Sequence, residues 1–298
     1  MNIKLILSLF LIANTLFAQE INQTIKDSKG KLMLLGKANI EAFNHSDFDW
    51  YSKNYESYIT NDNVIKEIKA PLKNYKIKVF FGSWCGDSKR ELPRFYKVLD
   101  KAKINHKNVE LIAVDRKPEA YKTSPGGEEK GLNIHRVPTF VFYKENKEVA
   151  RIVEYPKQDF ERDILTIVKE EKYTPNYGVV FFLDKLIKEK GIDELKKNLT
   201  AYLSYLSEYT KGSRELNTYG YKLLRSGELE KALLVFELNT KMYPYKTNVF
   251  DSYAEGLHKA KRYEEAIKNY AQVLALDSNN VNALEAIASI KKETELNK

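Results

Sequence analysis

The hydrophobic and polar positions divide the chain into two parts with different periods. Between residues 75 and 172, short apolar runs alternate with amphipathic segments, which predicts strands and helices in one α/β domain. Beyond residue 172, apolar positions recur at helical spacing, which predicts an all-α region. The predicted elements of the first part are strands over 77–81, 109–114, 140–143 and 148–153, a helix over 88–103, and a closing helix with Phe160, Ile164, Ile167 and Val168 on one face.

The first eighteen residues have the pattern of a secretory signal peptide, which we assign to 1–18. Lys4 supplies the basic start, Leu5–Phe17 is mostly apolar, and Ala18 is a suitable residue for cleavage. Because the apolar run is short for a bilayer span, we expect export to the periplasm or beyond, without a stable membrane anchor. A retained anchor is the alternative.

The spacing of apolar residues over 19–74 predicts an N-terminal helical extension, to which we assign no chemistry. The apolar face of its first helix is formed by Leu32, Leu35, Ile40 and Phe43.

The single cysteine of the chain lies in a strand–turn–helix stretch over residues 78–93. Cys85 belongs to the segment Trp84–Ser88, at the predicted start of the helix. Unpaired backbone N–H groups and the positive end of the helix dipole favour a thiolate there, and Lys89 and Arg90 add positive charge. The alternative is a small buried hydrophobic residue, as free cysteines often are.

Composition limits the chemistry further. Export normally means an oxidising compartment in which cysteines pair, but one cysteine excludes an internal disulfide and indicates a reactive or intermolecular thiol. The net charge of +8 comes from interspersed charges, which is typical of a solvated surface and not of a nucleic-acid interface. No cysteine–histidine spacing indicates a metal site, and we expect no cofactor.

Residues 75–172 resemble a thioredoxin-family domain at three separated places. Trp84–Lys89 is similar to the family's Trp-Cys-Gly-Pro-Cys-Lys motif, Pro93 matches its helix-kinking proline, and Val137–Thr139 resembles its cis-proline segment. The resemblance implies a central mixed sheet flanked by helices. It also implies Cys85 and Ser88 as catalytic residues, and a substrate groove formed by Trp84, Gly86, Asp87, Val137, Pro138 and Thr139.

The chain departs from the family where a second thiol and a proton relay belong. Ser88 stands in place of the resolving cysteine, so a dithiol cycle within this chain is impossible. Val79 and Leu111 replace the family's buried aspartate and its lysine partner, and Tyr155 replaces a glycine near the groove. Asp115 retains the acid that ends the central strand.

Three residues near the cysteine are candidate stabilisers of its thiolate. Lys89 follows the motif, while His135 and Arg136 precede the proline segment, so a cation from either side would favour the charged sulfur. The alternative for His135 and Arg136 is that both point to solvent.

The C-terminal part contains a repeat of 34 residues, in which eight positions of 213–246 recur in 247–280. This is the tetratricopeptide period, a helix–turn–helix unit with small residues where its helices touch. A partial unit or capping helix follows at 281–298, and connecting helices in 173–212 are expected to support the array. Such an array binds a protein segment or serves only as a structural cap. The small residues are Gly220, Ala232, Ala254 and Ala266.

Two functional classes remain open. In the first, an exported monothiol thioredoxin-like protein forms mixed disulfides with client proteins through Cys85, as an oxidoreductase, an isomerase or a client holder, and its repeats recruit partners. In the second, the fold is a redox-inactive scaffold that acts as a protein-interaction adaptor. Retention of Trp84–Gly86 and Pro138 favours the first class, and Ser88 favours the second. No nucleophile elbow indicates a hydrolase.

Overall fold

The computed structural model describes residues 20–296, so the predicted signal peptide at 1–18 lies outside it. The strands of the described part are β1 (Thr24–Lys26), β2 (Leu32–Leu34), β3 (Gly36–Ala38), β4 (Lys76–Phe81), β5 (Val109–Ala113), β6 (Thr139–Lys144) and β7 (Lys147–Val153).

The α-helices fall into an N-terminal and a C-terminal group. The first group is α1 (Trp50–Ser57), α2 (Asp62–Ile68), α3 (Gly86–Lys101) and α4 (Phe160–Val168). The second group is α5 (Gly178–Lys190), α6 (Ile192–Lys197), α7 (Leu203–Ser207), α8 (Arg214–Arg225), α9 (Leu229–Met242), α10 (Thr247–Lys259), α11 (Tyr263–Leu276) and α12 (Val281–Leu296). Between residues 20 and 296, none of these helices has the length and apolar content to cross a bilayer.

Strand β4 lies at the centre of a mixed five-stranded sheet with the order β3-β5-β4-β6-β7. It runs parallel to β5 and antiparallel to β6, and β7 pairs with β6 as a hairpin. Helices α3 and α4 pack on one face, where the rings of Phe95, Phe140 and Phe160 lie 4.6–5.5 Å apart and are fully buried. These elements confirm the predicted mixed sheet flanked by helices.

The prediction of helix was wrong for residues 24–38, which form three short strands. Strand β3 joins the main sheet antiparallel to β5, so the sheet begins well before the predicted boundary at residue 75. The apolar run of β2 lies between Gly30 and Gly36, whose φ angles of 76° and 82° break a helix. The later part of the predicted helical extension does contain two helices, α1 and α2.

The C-terminal region is entirely helical, as predicted. Helices α8 and α9 form one pair and α10 and α11 a second, and α9 and α11 begin at Leu229 and Tyr263, 34 positions apart. Where α8 meets α9, a Cβ on Gly220 would lie 2.4 Å from the Phe236 ring, so only glycine fits. The corresponding Ala254 is fully buried. The identification of these pairs as tetratricopeptide repeats stays a prediction.

Candidate functional site

Cys85 lies at the junction of β4 and α3. The apolar strand ends at Phe81, and the turn that follows is closed by the N–H of Cys85, which donates to Gly82 O at 2.8 Å. The carbonyl of Cys85 then accepts from Lys89 N at 3.0 Å, which starts the helix. The cysteine is therefore the residue that caps α3, its backbone is extended, and its side chain is half-buried.

The turn is held in place by buried hydrogen bonds. Ser88 is fully buried, and its Oγ accepts from the N–H of Gly82 at 3.1 Å. Ser83 Oγ accepts from the N–H of Leu34 at 2.9 Å, which ties the N-terminal strands to the site. Ser88 therefore stabilises the turn that carries Cys85.

Trp84 forms one wall beside the cysteine. Its Nε1–H donates to Val114 O at 2.9 Å, and its ring lies 5.8 Å from that of Tyr121. A Cβ on Gly82 would approach the indole to 2.6 Å, so the glycine lets the ring cover the turn. Trp84 is thus fixed from both sides.

The proline segment lies directly opposite the thiol. Cys85 Sγ is 3.3 Å from Val137 O, and the Val137–Pro138 peptide bond is cis. Pro138 O accepts from Glu154 N at 2.7 Å, and Thr139 Oγ1 donates to the backbone of the preceding loop at 2.7 Å. The structure therefore brings the predicted nucleophile and the predicted groove segment together.

The remaining motif residues lie on the outer side of the turn. Gly86 is exposed, and the Asp87 carboxylate accepts from Arg90 Nη2 at 2.8 Å. Lys89 is half-buried, and its pKa is lowered by this burial and by repulsion from Lys31, while attraction to Cys85 opposes the change. Of the three candidate stabilisers, Lys89 is thus one that interacts electrostatically with Cys85.

The other two candidates have different roles from those considered in the sequence. His135 is buried, and burial lowers the pKa of its imidazole to about 3, so it is neutral and supplies no cation. Its Nδ1 lies 3.3 Å from Asn133 O. Arg136 donates to Glu154 Oε1 at 3.0 Å and to Thr218 Oγ1 of α8 at 2.9 Å, so its charge is paired and it joins the two domains.

A cation that the sequence did not single out binds the segment that lies opposite the thiol. Lys122 is 5% exposed, and its Nζ donates to His135 O at 2.5 Å. Burial lowers the pKa of Lys122 to about 8, repulsion from Arg136 lowers it further, and attraction to Cys85 opposes both. No periodic pattern marks this loop residue, so the sequence carried no signal for it.

Helix α8 borders the site from the C-terminal region. The guanidinium of Arg225 lies 5.1 Å from the centre of the Tyr121 ring, which in turn leans on Trp84. Tyr155 is 39% exposed near the same border, and its carbonyl accepts from Asn176 Nδ2 at 2.8 Å.

Among residues 20–296, no cluster of histidine, cysteine and carboxylate side chains is placed to hold a metal ion.

The comparisons with known proteins agree with this geometry. Residues 37–164 match a family model described as thioredoxin. Thioredoxin H2 of Arabidopsis thaliana is 29% identical over 102 residues, which are 34% of this chain and 66% of that protein. The match thus spans slightly less than two thirds of the relative's length. The family match begins within β3, where the sheet itself begins. The chain therefore contains an N-terminal domain with a thioredoxin-like fold, which is similar in sequence to thioredoxins over residues 37–164 and is followed by an all-helical region.

Proposed function

We propose that this chain is an exported, single-thiol thioredoxin-like protein that exchanges disulfides with client proteins through Cys85. The observation that supports this function best is the position of Sγ, half-buried at the start of α3 and 3.3 Å from Val137 O. A helix N-terminus and nearby ammonium groups favour the thiolate, which is the nucleophile in disulfide exchange. Lys89 and Lys122 are those groups.

The reaction proceeds in two exchange steps. The Cys85 thiolate attacks one sulfur of a client disulfide, the client S–S bond breaks, and the second client sulfur leaves as a thiolate that takes up a proton from water. A thiol of the client, or a small thiol such as glutathione, then attacks the mixed disulfide and expels Cys85 as a thiolate. Because Ser88 has no sulfur, resolution must come from outside the chain, which favours isomerisation over net reduction.

The helical region fits a recruiting role in this proposal. Its helix pairs recur at the tetratricopeptide spacing, and arrays of this kind hold protein segments. Thr218 and Arg225 place α8 at the border of the site, so a partner on these helices would lie close to Cys85. A purely structural cap is the alternative.

A redox-inactive scaffold is the second candidate function, and one observation favours it. Val79 pairs with Leu111 in the β4–β5 register, and both side chains are buried, so the sheet holds apolar residues where the family has an ion pair. The chain therefore lacks the family's proton relay, and because Ser88 replaces the second cysteine it also lacks the second thiol. In this class the protein works as an adaptor, and Cys85 is dispensable.

Catalysed refolding of a ribonuclease with scrambled disulfides separates the two functions. In a glutathione buffer, the wild-type protein is expected to accelerate recovery of ribonuclease activity, and the Cys85→Ser variant is expected to leave it at the uncatalysed rate. Thermal unfolding of both proteins checks that the variant is folded. Equal rates for the two proteins would contradict the exchange function and favour the scaffold.

A further inference from the structure

Lys122 is the one lysine between residues 20 and 296 whose side chain is buried. Burial of an ammonium group is costly unless a partner compensates for the lost water. The partners that it has are a neutral carbonyl, His135 O, and the face of the Tyr121 ring at 4.7 Å. Neither partner carries a negative charge, so neither compensates fully for burying the Lys122 ammonium, and the burial is not explained by a contribution to stability.

The charged groups around Lys122 point to the cysteine as its counter-charge. Arg136 and Arg225 repel its ammonium, whereas Cys85 and Glu154 attract it, with Cys85 contributing more. The Glu154 carboxylate already accepts from Arg136 and from the Tyr177 hydroxyl. Cys85 is therefore the group left to supply a counter-charge, and its Sγ contacts the same segment, residues 135–137, that binds the Lys122 ammonium.

The backbone fixes Lys122 in this place. Its N–H donates to Asp115 O at 2.9 Å, and Asp115 N donates back to Thr123 O at 2.9 Å, which closes the loop. The ammonium then binds His135 O, and the thiol contacts Val137 O two residues further along the same segment. One short stretch of chain thus positions both charges.

We propose that Lys122 is a positioning residue that stabilises Cys85 as a thiolate when it attacks and, above all, when it is expelled from a mixed disulfide. This inference rests on the proposed function and makes it more specific. A stabilised thiolate is a good leaving group, so the mixed disulfide with a client is short-lived. The protein therefore exchanges and isomerises client disulfides instead of holding clients.

The second exchange step shows where the charge acts. A client thiolate attacks the client sulfur of the mixed disulfide, a new S–S bond forms within the client, and the bond to Cys85 Sγ breaks. The electron pair of the broken bond stays on Sγ, which contacts the segment that binds the Lys122 ammonium. The client is rearranged with no net oxidation or reduction, so the step needs no further reactant.

The test measures how fast a defined mixed disulfide is released. The full protein is converted to its Cys85–glutathione disulfide, and 2-mercaptoethanol is added at pH 7. The reaction is followed as formation of the glutathione–mercaptoethanol disulfide, which appears only when 2-mercaptoethanol attacks the glutathione sulfur and Cys85 leaves as a thiolate. Lys122→Met is expected to slow release about three- to tenfold, because exchange rates depend on the stability of the leaving thiolate. Lys130→Met, an exposed lysine that follows the same loop, is the matched control and keeps the wild-type rate.

The pH profile distinguishes an electrostatic role from a structural one. Because the pKa of Lys122 is lowered to about 8, its charge disappears as the pH rises above that value. The wild-type advantage over Lys122→Met should therefore shrink between pH 7 and 9.5. Lys122→Arg keeps the charge and should restore most of the rate, and Lys122→Gln replaces the methionine variant if that variant fails to fold.

Two different failures are distinguishable. Equal release rates for wild type and Lys122→Met at pH 7, or a ratio that does not change with pH, would overturn the role of Lys122 while the exchange function stands. If the wild-type protein does not form the glutathione disulfide at all, the proposed function itself fails, and the inference fails with it.

Discussion

Acidification below pH 6.5 is expected to destabilise the thioredoxin-like domain through His135. The imidazole is 4% exposed, and its ring lies 5.6 Å from the Tyr177 ring and 5.8 Å from the Tyr219 ring. Burial lowers its pKa to about 3, and the charges of Lys122 and Arg151 act in the same direction. The folded protein therefore binds the proton at His135 only in strong acid.

The sign and the size of the effect follow from proton linkage. Below pH 6.5 the unfolded chain takes up a proton at His135 and the folded chain does not, so the free energy of unfolding falls as the pH decreases towards 3. Each pH unit in this window contributes about 1.4 kcal/mol. Between pH 6.5 and 4, His135 alone should lower the free energy of unfolding by about 3 kcal/mol.

Urea unfolding of wild type and His135→Phe at pH 7 and pH 4 measures this contribution. Trp50 and Trp84 are the two tryptophans of the chain, and both precede the helical region, so their fluorescence reports on the relevant domain. Carboxylates titrate in both proteins and cancel in the comparison. The wild type should lose about 3 kcal/mol more than the variant between the two pH values. Equal losses would refute a neutral, buried His135.

Three further predictions concern stability and the contact between the domains. Gly220→Val should lower the free energy of unfolding of the helical region by about 1–3 kcal/mol in thermal or urea unfolding, because its side chain would overlap the Phe236 ring. An unchanged stability would mean that α8 and α9 do not touch there. Glu161→Ala should cost about 1–3 kcal/mol for each donor left unpaired, since the buried carboxylate accepts from a tyrosine hydroxyl at 2.6 Å and a backbone N–H at 2.8 Å. Wild-type stability in urea would contradict this. Arg136→Met should speed proteolysis between the two domains more than Thr218→Val does, because it removes both hydrogen bonds of the guanidinium. Identical cleavage rates would argue against this link.

The central strands were predictable because their apolar runs are long enough to show a period. Strand β4 has six residues and is followed directly by Gly82, and the helix after it has a clear apolar face. Strands β1 to β3 have three residues each, too few for the period of two to show. Leu32–Leu34 therefore fits either a strand or a helix face, and only its pairing in three dimensions decides.

The site was predictable to the extent that it is carried by consecutive residues. The Trp84–Ser88 turn and the Val137–Thr139 segment each appear as a short motif, and the resemblance placed them opposite one another. The protonation states of the side chains around the site were not predictable, because they depend on how deeply each side chain is buried. The neutral state of His135 follows from its burial against residues distant in the chain, such as Tyr219, and the lowered pKa of Lys122 likewise follows mainly from burial.

We expect the folded protein to activate Cys85 for disulfide exchange. The most direct test compares the rate at which Cys85 reacts with oxidised glutathione at pH 7 in the folded protein and in the same chain unfolded in urea. We expect the half-buried thiol of the folded protein to react about tenfold faster or more, because it lies at the N-terminus of α3 and faces the cis-proline segment. A folded protein that reacts more slowly than the unfolded chain, or not at all, would contradict it.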